Sequence, residues 1–255
     1  MGPVRSELMW QAVVDAVDIV GGDTLDVLDL GGGTGSDAVR LARLGHRVTV
    51  VDPSPDALAS LHRRGVEAGL EHIVRGIQGD ASDLLDHVDP ATVDLVVCHG
   101  VLEHVDDPGQ ALSKVATVLR PGGHVSVVVA GRHAAVIARA LAGDFEAAQT
   151  LLRATSTSWD TRTMGPRRFV ADEVEALLTL HGFVGVTTNG LRVFADLVPS
   201  AMTDAEPGAR DSLYALERLV SSCRDFTALS AGLQSIARLD LQSASSEPGG
   251  KHAAL

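Results

Sequence analysis

Residues 26–36 read Asp-Val-Leu-Asp-Leu-Gly-Gly-Gly-Thr-Gly-Ser, a short apolar segment that runs directly into a glycine-rich turn. The apolar segment predicts a β-strand, and residues 37–42 predict the start of the helix that follows it. Glycine allows a tight turn and lets the backbone approach a ligand without a Cβ atom in between. The unpaired N–H groups at the start of the helix point into the same crevice. The stretch therefore predicts a strand–turn–helix unit that binds a nucleotide-like cofactor or a carboxylate.

Segments typical of strands and helices alternate through the first half of the chain. Further strands are predicted at 47–51, 73–78, 93–98 and 124–130, and helices at 7–20, 36–44, 54–68 and 108–119. This alternation indicates a parallel sheet that is covered by helices on both faces. We therefore expect an α/β protein with a Rossmann-like, doubly wound, seven-stranded and mostly parallel sheet, together with a helical substrate cap.

The regular alternation of predicted strands and helices ends at residue 130. Helices are predicted at 133–153 (one or two), 171–181 and 210–223, strands at 183–188, 191–197 and 233–238, and a mobile Ser/Thr/Arg-rich loop at 154–168. The residues expected on the apolar face of the last helix are Leu213, Leu216, Leu219 and Val220. These patterns predict a cofactor-binding core over 1–130, a substrate cap with further sheet elements over 131–240, and a disordered tail over 241–255.

Composition excludes some classes of function. The 255 residues carry 33 acidic and 21 basic side chains, for a formal net charge of −12. This charge weighs against tight non-specific binding of nucleic acid, although a local arginine site is compatible with it. The two cysteines and ten histidines show no metal-ligand spacing, so no metal site is predicted, and Cys98 is expected in the core. With no signal peptide and no apolar run of membrane-spanning length, we expect a cytoplasmic protein with no membrane partner; its oligomeric state is open.

Three aspartates follow or end predicted strands and suit the parts of an adenosine cofactor. Asp52 can accept hydrogen bonds from both ribose hydroxyls, in dinucleotide enzymes as in others. Asp29, just before the glycines, suits a cationic amino group. Asp80 can accept from the adenine amine while the N–H of Ala81 donates to a ring nitrogen. The turn alone also fits the dinucleotide pattern Gly-x-Gly-x-x-Ala at 33–38, so an oxidoreductase stays open at this point.

The motifs in combination resemble those of class I S-adenosylmethionine-dependent methyltransferases. The series adds Leu102-Glu103-His104-Val105 after the fourth strand and Pro121-Gly122-Gly123 before the fifth, and it covers residues 26–130. The resemblance implies S-adenosylmethionine as the cofactor, in a methyltransferase. The residues that it implies for cofactor binding are Asp29, Gly31, Gly32, Gly33, Asp52, Asp80 and Ala81.

The flanking segments are similar to those of the bacterial tRNA carboxymethoxyuridine methyltransferases, which methylate the carboxylate of a modified wobble uridine. The similar segments are Arg5 with Trp10-Gln11, the run 190–196, and Tyr214-Ala215-Leu216-Glu217 leading to Cys223-Arg224. This resemblance implies that Arg5 reaches the methionine carboxylate of the cofactor and that His99 lies beside the methionine end. It also implies tRNA as the acceptor substrate.

A carboxylate acceptor is already ionised at neutral pH, so it needs a cation to orient it rather than a general base. The candidates for acceptor binding and catalysis are Arg192, Arg224 and Arg132, with Tyr214 as a neutral donor. His133 and His104 are candidates for acid–base roles on a hydroxyl acceptor. The loop residues Arg162, Arg167 and Arg168 are expected to face solvent, with phosphate contacts as the alternative.

Three functions stay open on these residues. The first is a methyltransferase that acts on a carboxylate of modified tRNA. The second is a methyltransferase for a small metabolite, which the acidic charge favours. The third is a nucleotide-binding module, either an oxidoreductase or a binding protein without catalysis.

Overall fold

The computed structural model describes residues 3–155 and 158–241, and seven strands in these residues form one sheet. The strands are β1 (Asp26–Leu30), β2 (Arg47–Asp52), β3 (Val74–Gln78), β4 (Val93–His99), β5 (Leu119–Ala130), β6 (Phe183–Leu191) and β7 (Gly232–Leu239). Their order is β3-β2-β1-β4-β5-β7-β6. All neighbouring pairs are parallel except the two that involve β7. The predicted seven-stranded, mostly parallel α/β fold is therefore confirmed.

Helices connect most of the strands. They are α1 (Pro3–Val20), α2 (Ser36–Arg43), α3 (Pro55–Ala68), α4 (Pro108–Val118), α5 (Arg132–Leu141), α6 (Phe145–Arg153), α7 (Thr161–Met164), α8 (Ala171–Leu180), α9 (Ser200–Ala205), α10 (Ala209–Val220) and α11 (Arg224–Thr227). As expected, α4 begins with an aspartate cap: the Asp107 carboxylate accepts from the N–H groups of Gly109 and Gln110, and Pro108 occupies the first turn.

The sheet has an apolar core on each face because successive residues of a strand point to opposite sides. Along β1, Val27 packs against the side covered by α1, α2 and α3, whereas Leu28 and Leu30 pack against the side covered by α4 and α8. Cys98 at the end of β4 is fully buried in the second core, as predicted. The predicted helices on both faces are therefore confirmed.

The region between α6 and α8 is more structured than its composition indicated. The prediction of a mobile loop over 154–168 is wrong for residues 159–164, because Trp159 is buried and α7 follows it. Trp159 packs with Ala135 and Leu151, and its indole N–H donates to the Gly165 carbonyl at 3.1 Å. Trp159 thus forms a small hydrophobic core with these residues. The polar residues around it in the sequence did not predict this packing.

Two further expectations for the second half of the chain are wrong. Residues 191–197 do not form a second strand: β6 ends at Leu191, and a turn follows it. On α10, Leu216 and Leu219 are exposed, whereas Glu217 and Val220 are buried. The helix therefore buries a carboxylate where the apolar pattern predicted leucines.

Other expectations depend on the limits of the described residues. The predicted disordered tail, 241–255, lies outside them apart from Leu241. Within 3–155 and 158–241, no helix combines the length and the apolar character that crossing a membrane requires. The predicted boundary at residue 130 coincides with the end of β5, but β6 and β7 from the second part complete the same sheet. The division into core and cap stays a prediction.

Gly131, which follows β5, is tightly packed, whereas Gly65 in α3 is not. Substitution of each glycine by alanine therefore tests the packing after β5. A Cβ atom on Gly131 would overlap the backbone carbonyl of Ser230, which no side-chain movement relieves, so Gly131→Ala should lower the free energy of unfolding by about 1–3 kcal/mol. In α3, a Cβ on Gly65 meets only ordinary contacts with Glu71, so Gly65→Ala should raise stability by roughly 0.5–1 kcal/mol. Urea denaturation measures both, and equal effects of the two substitutions would contradict this packing.

Candidate active site

The parallel strands β1, β2, β4 and β5 end at the same edge of the sheet, so the segments that follow them meet there. The sheet order places β2 on one side of β1 and β4 on the other. The chain therefore leaves β1 and β4 in opposite directions, and a crevice opens between the two connections. The predicted glycine turn and the predicted acidic residues follow these strands.

The turn after β1 is held by backbone geometry that side chains would disturb. Gly31 has φ +74° and donates its N–H to the Val51 carbonyl at 2.7 Å. A Cβ atom on Gly32 would collide with the carboxyl group of Asp29. The N–H of Gly33 donates to Oδ2 of Asp52 at 2.8 Å. The turn is thus fastened to the end of β2 and lies against a buried acid.

Asp29 is a buried carboxyl group beneath this turn. Only 7% of the residue is exposed. Burial, and then the negative charges of Asp37 and Asp52, raise its pKa to about 7. Ionisation of Asp29 is unfavourable because the carboxylate is buried and is repelled by Asp37 and Asp52. A bound cation would offset both effects, so this site is electrostatically suited to a positive charge.

A cavity of about 740 Å³, here called the β1–β4 cavity, opens beside the turn. Its lining includes Gly31, Asp52, Asp80, Ala81, Gly100, Val101, His104 and Lys114. Each Asp52 oxygen accepts one backbone N–H, from Gly33 or Ser54, which leaves each with capacity for a further hydrogen bond. Asp80 is exposed, and its carboxylate accepts from the N–H of Ser82. The β1–β4 cavity is therefore lined by Asp52, which was predicted to bind the ribose, and by Asp80 and Ala81, which were predicted to bind the adenine.

His99, at the end of β4, is half-buried and carries no charge at neutral pH. Burial lowers its pKa to about 3, and its Nε2 shares a 2.9 Å hydrogen bond with the Ser126 hydroxyl. A neutral ring is compatible with the predicted position beside a cationic cofactor end. The other predicted histidine of this region, His104, is exposed on the rim of the β1–β4 cavity.

A second cavity of about 780 Å³ lies between the end of β5 and the helices α5, α6 and α7; it is here called the cap cavity because these helices belong to the predicted cap. Its lining includes Ala130, Ala134, Arg139, Leu151, Met164, Arg168, Arg192, Val193 and Asp196. Three of these side chains are guanidinium groups and one is a carboxylate. The cap cavity is therefore apolar in most of its wall and positively charged in its polar part.

Two arginines of the cap cavity, Arg168 and Arg192, are poorly neutralised, whereas Arg139 pairs with Asp144 at 3.4 Å. Arg192 meets Asp196 only at 3.5 Å, and that carboxylate is bound more closely by Arg5, at 2.7 Å. Arg168 is half-buried, and no carboxylate of residues 3–155 or 158–241 lies within ion-pair distance of it. Burial, then the positive charge of Arg139, lowers the pKa of Arg168, while Glu103 opposes the shift. Such an arrangement favours an anionic ligand.

Glu103, in the segment that follows β4, is a buried carboxyl group. One of its oxygens accepts from the N–H of Ala130 at 2.7 Å, while the other is buried with no hydrogen-bond partner in the described part of the chain. Burial raises its pKa above the usual range for glutamate. The segment after β4 is thereby tied to the end of β5.

Several predicted residues lie elsewhere. Arg5 pairs with Asp196 and lines neither described cavity, Tyr214 donates to Gln11 at 3.3 Å, and His133 shares a 3.2 Å hydrogen bond with the Ala228 carbonyl. Arg224 is exposed and also lines neither cavity. Of the predicted catalytic residues, Arg192 lines the cap cavity, whereas Arg224, Tyr214 and His133 line neither described cavity.

Arg132, another candidate for acceptor binding, lines neither described cavity and joins α5 to α8 and to the residue after α6. It is buried, donates two hydrogen bonds to Glu173 at 2.6 and 2.8 Å, and donates to the Ala154 carbonyl. The residue that sequence reasoning missed is Arg168, which was expected to face solvent. Its signal was the short apolar pair Phe169-Val170, which indicates a segment anchored to the core.

The sheet order, the glycine turn after β1 and the β1–β4 cavity beside it are the features of a nucleotide-type cofactor site. A family model described as a methyltransferase domain matches residues 28–127. The tRNA 5-carboxymethoxyuridine methyltransferase of Escherichia coli (strain K12) is 31% identical over 197 residues, covering 76% of this chain and 73% of that protein. The chain belongs to the class I S-adenosylmethionine-dependent methyltransferases, and S-adenosylmethionine is its cofactor.

Other comparisons match a shorter part of the sequence or show the fold at lower identity. The ubiquinone biosynthesis O-methyltransferase of Cupriavidus pinatubonensis is 38% identical over 133 residues, 51% of each protein. A possible histamine N-methyltransferase of Thermotoga maritima superposes over 92% of this chain and 90% of its own with a TM-score of 0.59 and 18% identity. The [4+2]-cyclase SpnF superposes over 91% and 80% with a TM-score of 0.60 and 19% identity. These structures show the fold alone, since one of them is a cyclase.

The raised pKa of Asp29 predicts a pH-dependent cost to the folded state. Between pH 4 and pH 7 the folded chain holds a proton that the unfolded chain has released, so this group lowers stability progressively as the pH rises to about 7. Asp29→Asn removes the cost. Without cofactor, its melting temperature should exceed that of the parent protein by a margin that grows between pH 5 and pH 7.

The control for this comparison is Asp56→Asn, which changes an exposed acid at the start of α3. Because Asp56 is exposed, this variant reports what replacing a surface carboxylate by an amide does to the melting temperature by itself. A margin for Asp29→Asn that does not change with pH would contradict the assignment.

Proposed function

We propose that the enzyme transfers the methyl group of S-adenosylmethionine to a carboxylate oxygen, and that the acceptor is 5-carboxymethoxyuridine at the wobble position of tRNA. The observation that carries the proposal is the pair Arg168 and Arg192, two poorly neutralised guanidinium groups in the cap cavity. The E. coli relative, whose name gives this substrate, supports the choice of acceptor.

The residues of the β1–β4 cavity fit the cofactor. Asp29 would bind the ammonium of the methionine moiety, since this acid lacks a compensating positive charge. Asp52 would accept from the ribose hydroxyls with its remaining capacity, and Asp80 with the N–H of Ala81 would bind the adenine. The bound sulfonium supplies an activated methyl group, so the protein needs to align the reactants and exclude water.

The acceptor side follows from the chemistry of a carboxylate. At neutral pH this group is ionised, so no side chain has to remove a proton from it. Arg192 and Arg168 would bind its oxygens, and two guanidinium groups orient a carboxylate better than one cation because each offers directed N–H donors. The apolar wall formed by Ala134, Leu151 and Met164 would keep water from the reacting oxygen.

A small acidic metabolite is the second candidate acceptor. The formal net charge of −12 favours it, because a polyanion such as tRNA is repelled by an acidic surface. Both candidates use the same arginines and the same cofactor site. The two candidates can be distinguished by which molecules receive a labelled methyl group from the cofactor.

Cofactor binding by Asp52 can be tested by calorimetry. Asp52→Ala should weaken S-adenosylmethionine binding at least tenfold, because the substitution removes both ribose contacts and the bond that holds Gly33. Asp172→Ala, an exposed acid on α8, serves as the control and should bind normally. Unchanged affinity in Asp52→Ala would contradict the assigned cofactor pose.

The acceptor can be tested with methyl-labelled cofactor, tRNA that carries 5-carboxymethoxyuridine, and a small-molecule extract. We expect label in the modified nucleoside, and we expect mild base to release it, since a methyl ester hydrolyses whereas N-methyl and ether groups persist. Arg192→Met and Arg168→Met should each raise the acceptor KM about tenfold or more, with cofactor affinity unchanged.

The matched control is Arg64→Met, an exposed arginine on α3, which should leave the KM unchanged. Label confined to small molecules would replace tRNA by a metabolite. Base-stable label would contradict carboxylate methylation for either acceptor.

A further inference from the structure

Glu217 is a buried carboxylate on α10 that contacts the backbone next to the cap cavity. Only 1% of the residue is exposed. One oxygen accepts from the N–H groups of Phe194 and Ala195 at 2.8 and 2.7 Å, and the other accepts from the N–H of Val193 at 2.9 Å. No cationic side chain of residues 3–155 or 158–241 pairs with it. Three backbone donors therefore take the place of water around this charge.

The segment that Glu217 holds begins directly after Arg192. Arg192 has φ +59°, a left-handed conformation that non-glycine residues rarely adopt. Such a conformation costs free energy and persists only where the surrounding structure enforces it. The carboxylate of Glu217 binds the next three N–H groups and thereby enforces it.

The same segment is fixed from a second direction. The Asp196 carboxylate lies between the guanidinium groups of Arg5 and Arg192, at 2.7 and 3.5 Å. Arg5 also donates to the Ala195 carbonyl at 3.4 Å. The Nε atom of Arg192 is buried and has no hydrogen-bond partner among the described residues. Arg192 thus lines the cap cavity with one long ion pair and one buried donor that lacks a partner in the described residues.

We propose that Glu217 is a positioning residue: its buried carboxylate fixes the turn that aims Arg192 at the acidic acceptor. The inference rests on the proposed function, because it takes Arg192 as the group that binds the acceptor. Glu217 touches neither described cavity and acts only through this turn. Its loss should affect acceptor capture and leave the cofactor side unchanged.

Glu217→Gln is the sharpest test because it keeps the size of the side chain. The single amide oxygen can still accept from Phe194 and Ala195, but the NH₂ group then faces the N–H of Val193, donor against donor. The variant thus loses the bond next to Arg192. We expect the KM for tRNA carrying 5-carboxymethoxyuridine to rise about tenfold, with kcat within about twofold and cofactor affinity unchanged.

A double-mutant cycle separates positioning from a general structural effect. In the Arg192→Met background, Glu217→Gln should change the KM by less than about twofold, because the group it positions is gone. An unchanged KM in the single variant, or an undiminished effect in that background, would overturn the proposal. Asp211→Asn, an exposed acid on the same helix, is the matched control and should match the parent enzyme.

A spectroscopic measurement keeps the two proposals separable. The NMR signal of the Arg192 Nε–H should shift in Glu217→Gln and stay in place in Asp211→Asn. If the parent enzyme does not methylate the tRNA, the proposed function fails, and this signal still decides whether Glu217 positions Arg192. If Glu217→Gln does not fold, Glu217→Asp, which keeps the charge but shortens the reach, should move the same signal; an unmoved signal overturns the proposal.

Discussion

The hydrogen bond from the Gly33 N–H to the Asp52 carboxylate joins the turn after β1 to the end of β2, and the cofactor side of the site depends on it. The bond requires the parallel register that pairs Leu30 with Val51, because only then do the two strands end together. It also requires that Gly32 has no side chain, since the carboxyl group of Asp29 occupies that space. The β1–β2 register, the glycine turn and the two aspartates therefore depend on one another. Together they form the crevice without a bound ligand.

Two buried side chains, Arg132 and Glu217, hold the segments around the cap cavity through hydrogen bonds to the backbone, and Arg132 also forms an ion pair. Arg132 ties α5 to Glu173 of α8 and to the Ala154 carbonyl that follows α6. Glu217 ties α10 to the turn after Arg192. Each satisfies polar groups that would otherwise be orphaned in an apolar region, so removing either would leave a buried, unsatisfied partner.

The first half of the chain was predictable from the sequence because its determinants are local. Strand, glycine turn and helix lie within residues 26–43, and the acids that end the strands follow from the same pattern. The turn after Leu191 was not predictable, because Leu191, Val193 and Ala195 place an apolar residue at every second position, as a strand does. The conformation is decided by Glu217, which is distant in sequence. Arg168 was misjudged for the same reason, since the pairing of Phe169 with Ala130 fixes its position.

A chain of net charge −12 can hold a cationic acceptor site because charge acts over a limited range. Surface acids beyond about 8 Å from the cap cavity are largely screened at physiological ionic strength, whereas Arg168 and Arg192 act inside it with little screening. Capture of a carboxylate is therefore a local property and is insensitive to the overall charge. Binding a tRNA backbone is not, because it requires cations spread along many phosphates. If tRNA is the acceptor, most of its affinity must come from the modified base in the cap cavity.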